Sequence, residues 1–206
     1  MLGSHNSMSY LKPIHWWQRW QRPWYRCQEI NLVQQYKQGA RYFDIRVNLI
    51  HGEWHFVHNK IDFGHIKDGL NELDQLIELV GKENQEIYFR IILDRRKAPK
   101  TKEEQEYLLI KFSNFISWAI DIYKKYNVFF LDSVIVYWSW DKLYEDPLHP
   151  EIVEYHNSVI HRDHLLKYLL GNKYFAKKHN KSGYTFHERM IIGNHEVILM
   201  DFVNIK

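Results

Sequence analysis

Hydrophobic and polar residues follow two different periods along the chain, and these predict strands and helices in turn. The stretch 41–49 alternates, with Phe43, Ile45 and Val47 on one face and polar side chains on the other, which predicts a half-buried strand. Positions 66–80 carry apolar residues three and four apart, as in an amphipathic helix. The run 86–94 is almost continuously apolar, which is typical of a strand buried on both faces.

Capping residues and shorter apolar runs predict the remaining elements. Asn31 is expected to begin a helix that ends near Gln38, with Gly39 as its stop, and Thr101 with Glu104 forms a capping-box pattern. The other predicted elements are a strand at 54–58, a helix from 101 to about 126, a strand at 133–138, a mostly irregular stretch at 140–157, a helix at 163–178 and a last strand at 197–203. This alternation predicts an α/β fold with a mainly parallel sheet, in a single domain that spans 1–206.

Composition narrows the class of protein without naming a function. The chain has 206 residues, 45% of them hydrophobic and 26% charged, which is the balance of an ordinary globular domain. The net charge of +3 fits an anionic substrate or membrane surface and is too weak and diffuse to indicate nucleic acid. A single cysteine, Cys27, excludes an internal disulfide framework and a cysteine-based zinc cluster.

The sequence also carries an expectation about location. It contains no apolar run as long as a membrane span and no signal-peptide pattern. We therefore expect a monomer in the cytoplasm with peripheral membrane contact, or a secreted protein if a leader has been removed.

Chemistry-bearing side chains cluster at the predicted ends of strands, where α/β folds build their sites. The residues at or just after such ends are His5, Arg46, His58, Asp94 and Asp201. Two histidines and an arginine suit phosphodiester cleavage, because one histidine accepts a proton, the other donates one, and the guanidinium binds phosphoryl oxygens. A carboxylate behind a histidine fixes its tautomer, but spacing alone does not pair them.

Each of these residues also has a plainer interpretation. In this plainer interpretation, Arg46 forms an ordinary ion pair with Asp44. Asp94 belongs to a run of charged side chains that are exposed to solvent. Asp201 then forms an ordinary ion pair at the end of its strand. Three further histidines of the same region compete with His58 for the catalytic role: His51, His55 and His65.

The order of several motifs is more specific than any one of them. Gly3-Ser4-His5-Asn6-Ser7 resembles the loop that opens the X domain of phosphatidylinositol-specific phospholipase C. The later segments that resemble the same family are Gln28, Gln34-Gln35-Tyr36, the strand 39–47 with its Arg-Tyr-Phe-Asp-Ile-Arg core, Phe56-Val57-His58, the apolar strand 86–93 and the last strand 197–202. The clear resemblance covers about residues 1–95.

The resemblance implies a compact, distorted TIM-type (β/α) barrel, with some elements trimmed because the chain is short. It implies that His5 is the general base on the inositol 2-hydroxyl, that Asp201 orients His5, that Arg46 holds the phosphate, and that His58 is the general acid. The products would be diacylglycerol and inositol 1,2-cyclic phosphate. The residues that it implies for substrate binding are Asn6, Asp44, Asp94 and Arg96.

Arg46 bears on the question of a metal cofactor. In the calcium-dependent branch of the family a carboxylate ligand occupies this position, so a guanidinium here favours the metal-independent bacterial type, with no cofactor. A Ca²⁺ site made by Asn6, Asp44 and Asp94 is the minority alternative. Asn6 is a departure, since the bacterial enzymes commonly have aspartate there, and it leaves the partner of the general acid open.

Four tryptophans lie between residues 16 and 24, and they allow two interpretations. In the first, Trp16, Trp17 and Trp20 form a patch at the membrane interface. Arg19 and Arg22 then contact lipid phosphates. Alternatively, these rings close the side or bottom of a small barrel.

The sequence leaves functions of other classes open as alternatives to the phospholipase hypothesis. A metal-dependent glycerophosphodiesterase or sphingomyelinase-like enzyme would use the same scaffold with carboxylate ligands. A non-catalytic lipid-binding module is the third possibility, and a nucleic-acid binder is the weakest.

Overall fold

The protein combines helices with one mixed β-sheet, which confirms the prediction of an α/β fold. The computed structural model describes residues 1–95, 99–124, 126–130, 135–137, 173, 188–192, 195–201 and 203–204. The strands are β1 Leu2–Ser4, β2 Ala40–Ile50, β3 Glu53–His58, β4 Ile61–His65, β5 Ile87–Asp94, β6 Val128–Phe130, β7 Ile135–Tyr137, β8 Glu188–Ile192 and β9 His195–Met200. The helices are α1 Trp16–Arg19, α2 Arg22–Tyr25, α3 Leu32–Lys37, α4 Lys67–Lys82 and α5 Lys102–Tyr123.

Where the structure describes them, the predicted elements begin and end within a few residues of these bounds. The helix expected to reach about residue 126 ends at Tyr123, and the strand expected at 133–138 is Ile135–Tyr137. The predicted strand 197–203 begins two residues earlier and ends at Met200. The stretch 140–157 and, apart from Lys173, the helix predicted at 163–178 lie outside the described residues. None of the described helices is long and apolar enough to cross a membrane.

The sheet is mostly parallel and becomes antiparallel at β3 and β4 on one side and at β8 on another. Its order is β4-β3-β2-β1-β9-β8, and β5 lies beside β2 and pairs in turn with β6 and β7. Strands β9, β1, β2 and β5 run parallel, whereas β3, β4 and β8 are antiparallel to their neighbours. Among the described strands no pairing closes the sheet into a ring, so this part of the molecule is an open sheet.

Most of the described strand pairings are parallel, as expected, and β3 and β4 depart from this because tight turns join them to their neighbours. His51 and Gly52 both have positive φ, at 51° and 84°, which is the geometry of a two-residue hairpin turn. Asn59 has a φ of 57° and lies with Lys60 in the next turn. A two-residue connection returns the chain antiparallel, so β2, β3 and β4 form a meander.

Alternation along β2 and β5 separates the core from the site. Phe43, Ile45, Val47 and the odd-numbered residues of β5 pack in the main hydrophobic core with α4 and α5. The even-numbered residues project from the opposite face, because successive side chains of a strand point to opposite sides. The register places Asp44 of β2 opposite Arg90 of β5, so polar side chains of the two strands lie side by side on this face. Arg46 lies opposite Ile92.

Gln28 links the two ends of the chain. Its side-chain amide donates to the carbonyl oxygens of His5, at 3.1 Å, and Met200, at 2.9 Å. Its oxygen accepts from the backbone nitrogen of Val203 at 3.1 Å, and the side chain is fully buried. A single glutamine thus holds the loop after β1 against the end of β9.

We expect Gln28→Ala to lower the free energy of unfolding by about 3 kcal/mol, because three buried backbone groups each lose the hydrogen bond that Gln28 makes with them. Urea unfolding followed by circular dichroism measures this change. Gln38→Ala is the matched control, since Gln38 is exposed at the end of α3, and we expect it to change stability by less than about 0.5 kcal/mol. Equal stability of the two variants would contradict the role given to Gln28.

Candidate active site

The structure brings together five of the predicted site residues on one face of the sheet. It is the face to which the even-numbered residues of β2 and β5 point. His5 follows β1, Arg46 lies within β2, His58 ends β3, Asp94 ends β5 and Asp201 follows β9. Three of these positions are carboxyl ends of parallel strands, as expected. Arg96, the remaining substrate-binding candidate after β5, lies outside the described residues.

His58 reaches this place from the opposite direction. Strand β2 continues past Arg46 and folds back as β3, with Val47 opposite Phe56. The end of β3 therefore returns to the level of Arg46. The hairpin places the rings of His5 and His58 edge to face, with their centroids 5.9 Å apart.

The hydrogen bonds of His5 define its tautomer. Arg46 Nη2 lies 2.7 Å from His5 Nε2, and a guanidinium has only donors, so Nε2 accepts. The proton is then on Nδ1, which donates to Asp201 Oδ1 at 2.8 Å. His5 and Asp201 are both buried. The arrangement presents a neutral imidazole with its lone pair on Nε2, which is the form that a general base needs.

Arg46 is held by carboxylates of two strands. Its Nη1 lies 3.3 Å from Asp94 Oδ2, and its Nη2 lies 3.3 Å from Asp44 Oδ2. Burial alone would raise the pKa of Asp44, but the positive charges of Arg46 and Arg90 and a hydrogen bond from the Asn6 backbone amide hold it below its usual value. The Arg46 side chain is 14% exposed, whereas the Asp44 side chain that it contacts is 1% exposed.

The partner of His58 is a backbone carbonyl. His58 Nδ1 donates to the carbonyl oxygen of Tyr25 at 2.6 Å, which leaves Nε2 to carry the exchangeable proton. Burial and the nearby charge of Arg46 lower the pKa of His58 to about 4, against smaller opposing effects of Asp94, Tyr25 and Asp201. The imidazole is therefore neutral at pH 7 in the free protein.

Asn6 and Asp44 lie beneath the site and not on its surface. Both are fully buried, and the Asn6 backbone nitrogen donates to Asp44 Oδ2 at 3.3 Å. The Asn6 side chain donates to the Val57 carbonyl at 3.5 Å, while its oxygen has no hydrogen-bond partner among the described residues. This geometry favours bracing of Arg46 over direct contact with a substrate.

The competing histidines of the hairpin lie elsewhere. His55 Nδ1 is paired with Asp62 at 2.9 Å, and His65 lies 3.5 Å from Glu53. His51 is exposed in the turn between β2 and β3. Of these four histidines, His58 is the one in contact with the ring of His5.

The carboxylates proposed for calcium are occupied by a guanidinium. Arg46 lies between Asp44 and Asp94, within 3.3 Å of each, at the place where a cation bound by both would lie. Asn6, Asp44 and Asp94 therefore do not fit a Ca²⁺ site while Arg46 holds this position.

Sequence reasoning missed several residues of the site. Cys27 is fully buried, with its sulfur 3.7 Å from His58 Nδ1, and Asn59 donates its backbone nitrogen to Asp94 at 3.0 Å. Arg90 is also buried, and its position as the only charged residue inside the apolar run 87–93 was a signal that it faces a polar interior. No pattern in the sequence pointed to the carbonyl of Tyr25.

The tryptophans of α1 and its surroundings lie on the surface. Trp16 is 67% exposed, Trp17 51% and Trp20 77%, so these three rings do not close the interior. Arg19 is exposed beside them, whereas Arg22 donates to the carbonyl of Tyr10 at 2.8 Å. We call the segment Ile14–Cys27, which contains these rings, the aromatic rim.

Solved structures of bacterial phosphatidylinositol-specific phospholipases C are similar to this chain. The protein of Listeria monocytogenes matches with a TM-score of 0.51 at 17% sequence identity, over 98% of this chain and 87% of that chain. The predicted resemblance is confirmed at the level of the fold. At this identity the similarity establishes the architecture and does not extend to the reaction.

Structures of the Staphylococcus aureus phosphatidylinositol-specific phospholipase C match a smaller part. One has a TM-score of 0.38 at 26% identity over 52% of this chain and 36% of that chain. Another, from work on the modulation of membrane binding, has a TM-score of 0.38 at 20% identity over 50% and 32%. The matched region spans about a third of the Staphylococcus aureus chains. No protein-family model matches the chain, and no curated protein matches it significantly.

The lowered pKa of His58 predicts a pH-dependent stability. His58 takes up a proton below about pH 6.5 in the unfolded chain but only below about pH 4 in the folded chain. The contribution of neutral His58 to the free energy of unfolding is therefore fully present above pH 6.5 and is lost as the pH falls toward 4. We expect a loss of about 3 kcal/mol across this window, and His58→Gln should remove it. Urea unfolding at several pH values measures the slope. His51→Gln should retain the slope, and an unchanged slope in His58→Gln would contradict the assignment.

Proposed function

We propose that this protein is a phosphatidylinositol-specific phospholipase C-like phosphodiesterase that works without a metal. The observation that carries the proposal is the convergence of His5, Arg46 and His58, with Asp201 on the far side of His5. In this proposal the chain is a single catalytic domain, acts as a monomer, and closes its strands into a distorted (β/α) barrel. The polar even-numbered face of β2 and β5 would then line the barrel interior.

The proposed reaction is an internal transfer of the phosphoryl group. His5 Nε2 takes the proton of the inositol 2-hydroxyl, and that oxygen forms a bond to phosphorus. The bond from phosphorus to the diacylglycerol oxygen breaks, and His58 Nε2 gives this oxygen a proton. Diacylglycerol and inositol 1,2-cyclic phosphate are the products, and the two histidines exchange proton states without net gain or loss.

Arg46 and the substrate charge supply the electrostatics of this proposal. The guanidinium is able to turn its donors from His5 Nε2 to the phosphoryl oxygens, which frees the lone pair of the base and stabilises developing negative charge. The negative phosphodiester would also favour the protonated form of His58, whose pKa is low in the free protein. Substrate binding thus prepares both the base and the acid.

The two alternative functions predict different responses. A metal-dependent glycerophosphodiesterase or sphingomyelinase-like enzyme needs free carboxylates, and Asp44 and Asp94 are both engaged by Arg46. A non-catalytic lipid-binding module would bind the lipid and leave it intact.

We expect the wild type to cleave phosphatidylinositol in the presence of EDTA and to leave phosphatidylcholine intact. His5→Ala and His58→Ala should each lower kcat by at least about 100-fold, because each removes one proton-transfer group. Phosphorus NMR measures turnover and identifies the cyclic phosphate. His65→Ala is the matched control and should keep wild-type activity. Loss of wild-type activity in EDTA, or equal activity in all variants, would refute the mechanism.

The aromatic rim supports a proposed contact with a membrane surface. Trp16, Trp17 and Trp20 are large apolar side chains exposed on adjacent turns, with Arg19 beside them. Tryptophan prefers the membrane interface, and a cation favours anionic lipid. We propose that this rim brings the protein to the lipid surface, from a cytoplasmic location.

We expect Trp16→Ala and Trp20→Ala each to weaken binding to phosphatidylcholine vesicles that contain phosphatidylinositol by about tenfold, because each removes an exposed ring from the interface. Vesicle co-sedimentation measures the affinity. Trp118→Ala is the control, since Trp118 is 40% exposed on α5, outside the rim. Equal loss in the Trp118 variant, or no loss in the rim variants, would exclude this surface.

A further inference from the structure

The aromatic rim makes a second set of contacts that point inward. The carbonyl of Tyr25 accepts the Nδ1 proton of His58 at 2.6 Å, and the two rings meet edge to face at 5.9 Å. Asn6, which lies next to His5 and has an amide where a carboxylate would bind an imidazolium, makes no hydrogen bond with His58 in the described part of the chain. The orientation of His58 therefore depends on the backbone of the rim.

Gln18 fixes the same rim to the turn that follows His58. Its amide nitrogen donates to the Lys60 carbonyl at 2.8 Å, and its oxygen accepts from the Asp62 backbone nitrogen at 3.2 Å. The Ile14 nitrogen adds a bond to the Asp62 carbonyl at 3.0 Å. Gln18 is 9% exposed, in a short helix whose neighbours Arg19 and Trp20 are exposed, so its burial serves this contact.

The far end of the rim is also held. The hydroxyl oxygen of Ser9 accepts from the backbone nitrogens of Cys27, at 2.9 Å, and Gln28, at 3.0 Å. The Tyr25 carbonyl thus lies between a fixed point at Gln18 and another at Cys27. The segment that carries this carbonyl is therefore held on both sides.

We infer that the aromatic rim is a positioning device for His58, in which Gln18 seats the rim and the Tyr25 carbonyl orients the imidazole. The inference rests on the proposed function, in which His58 protonates the leaving oxygen. Gln18 and Tyr25 do not reach the reacting atoms and act only through His58. The rim takes the place of a carboxylate as the partner of the acid.

The test uses Gln18→Ala and two water-soluble inositol 1-phosphodiesters that differ in their leaving group. A methyl ester leaves as a poor alkoxide and needs a proton from His58, whereas a 4-nitrophenyl ester leaves readily without one. If Gln18 acts through His58, the variant should lose about tenfold or more in kcat on the methyl ester and less than about twofold on the nitrophenyl ester. A general structural defect would lower both equally.

Gln21→Ala is the matched control within the rim, because the Gln21 side-chain oxygen has no hydrogen-bond partner among the described residues. It should leave both rates unchanged. Equal losses on the two esters in Gln18→Ala, or no loss on either, would overturn the inference while the wild type remains active. A wild type that is inactive on both esters would instead count against the proposed function.

Nitrogen NMR of the His58 imidazole tests the positioning without any turnover. The wild type should show the proton on Nδ1, and Gln18→Ala should show a mixture with the proton on Nε2. A wild-type imidazole protonated only on Nε2 overturns the inference, whether or not the variant folds. An unchanged Nδ1 proton in a folded Gln18→Ala variant overturns it as well.

Discussion

The site depends on the contacts of the Arg46 guanidinium, whose side chain is only 14% exposed. It contacts His5, Asp44 and Asp94, which come from three different segments of the chain. An unpaired charge at this depth would be strongly destabilising, so the carboxylates and the cation require one another. The same contacts set the lone pair of His5 on Nε2 and keep Asp44 ionised. One charge therefore determines the protonation of the groups around it.

Much of this arrangement could be predicted, because it depends on local periodicity. Alternation along β2 assigned Asp44 and Arg46 to one face and Phe43, Ile45 and Val47 to the other, and the core confirms that division. Asn31 caps α3 with the expected capping box, since its side chain accepts from Gln34. The pairing of His5 with Asp201 is also the one that the family resemblance implied.

The parts that were missed depend on long-range packing or on the backbone. The antiparallel course of β3 follows from the positive φ of His51 and Gly52, and His51 is not a residue that signals such a turn. Asn6 left the partner of His58 open, and the group that accepts from His58 is a backbone carbonyl, which no residue type signals. The Tyr25 contact is therefore invisible to any pattern of side chains. Gln18 escaped notice because its neighbours all suggested a surface.

The contact between His5 and Asp201 joins positions 196 apart in the chain. During synthesis His5 is made well before its aspartate, which follows 196 residues later. The loop between them must close before the imidazole has its partner, and closing so long a loop is entropically unfavourable until the intervening core has formed. A nascent chain would therefore hold both histidines and the arginine without an oriented base. Under the proposed function, competence for proton transfer would appear in one step, when β9 docks beside β1.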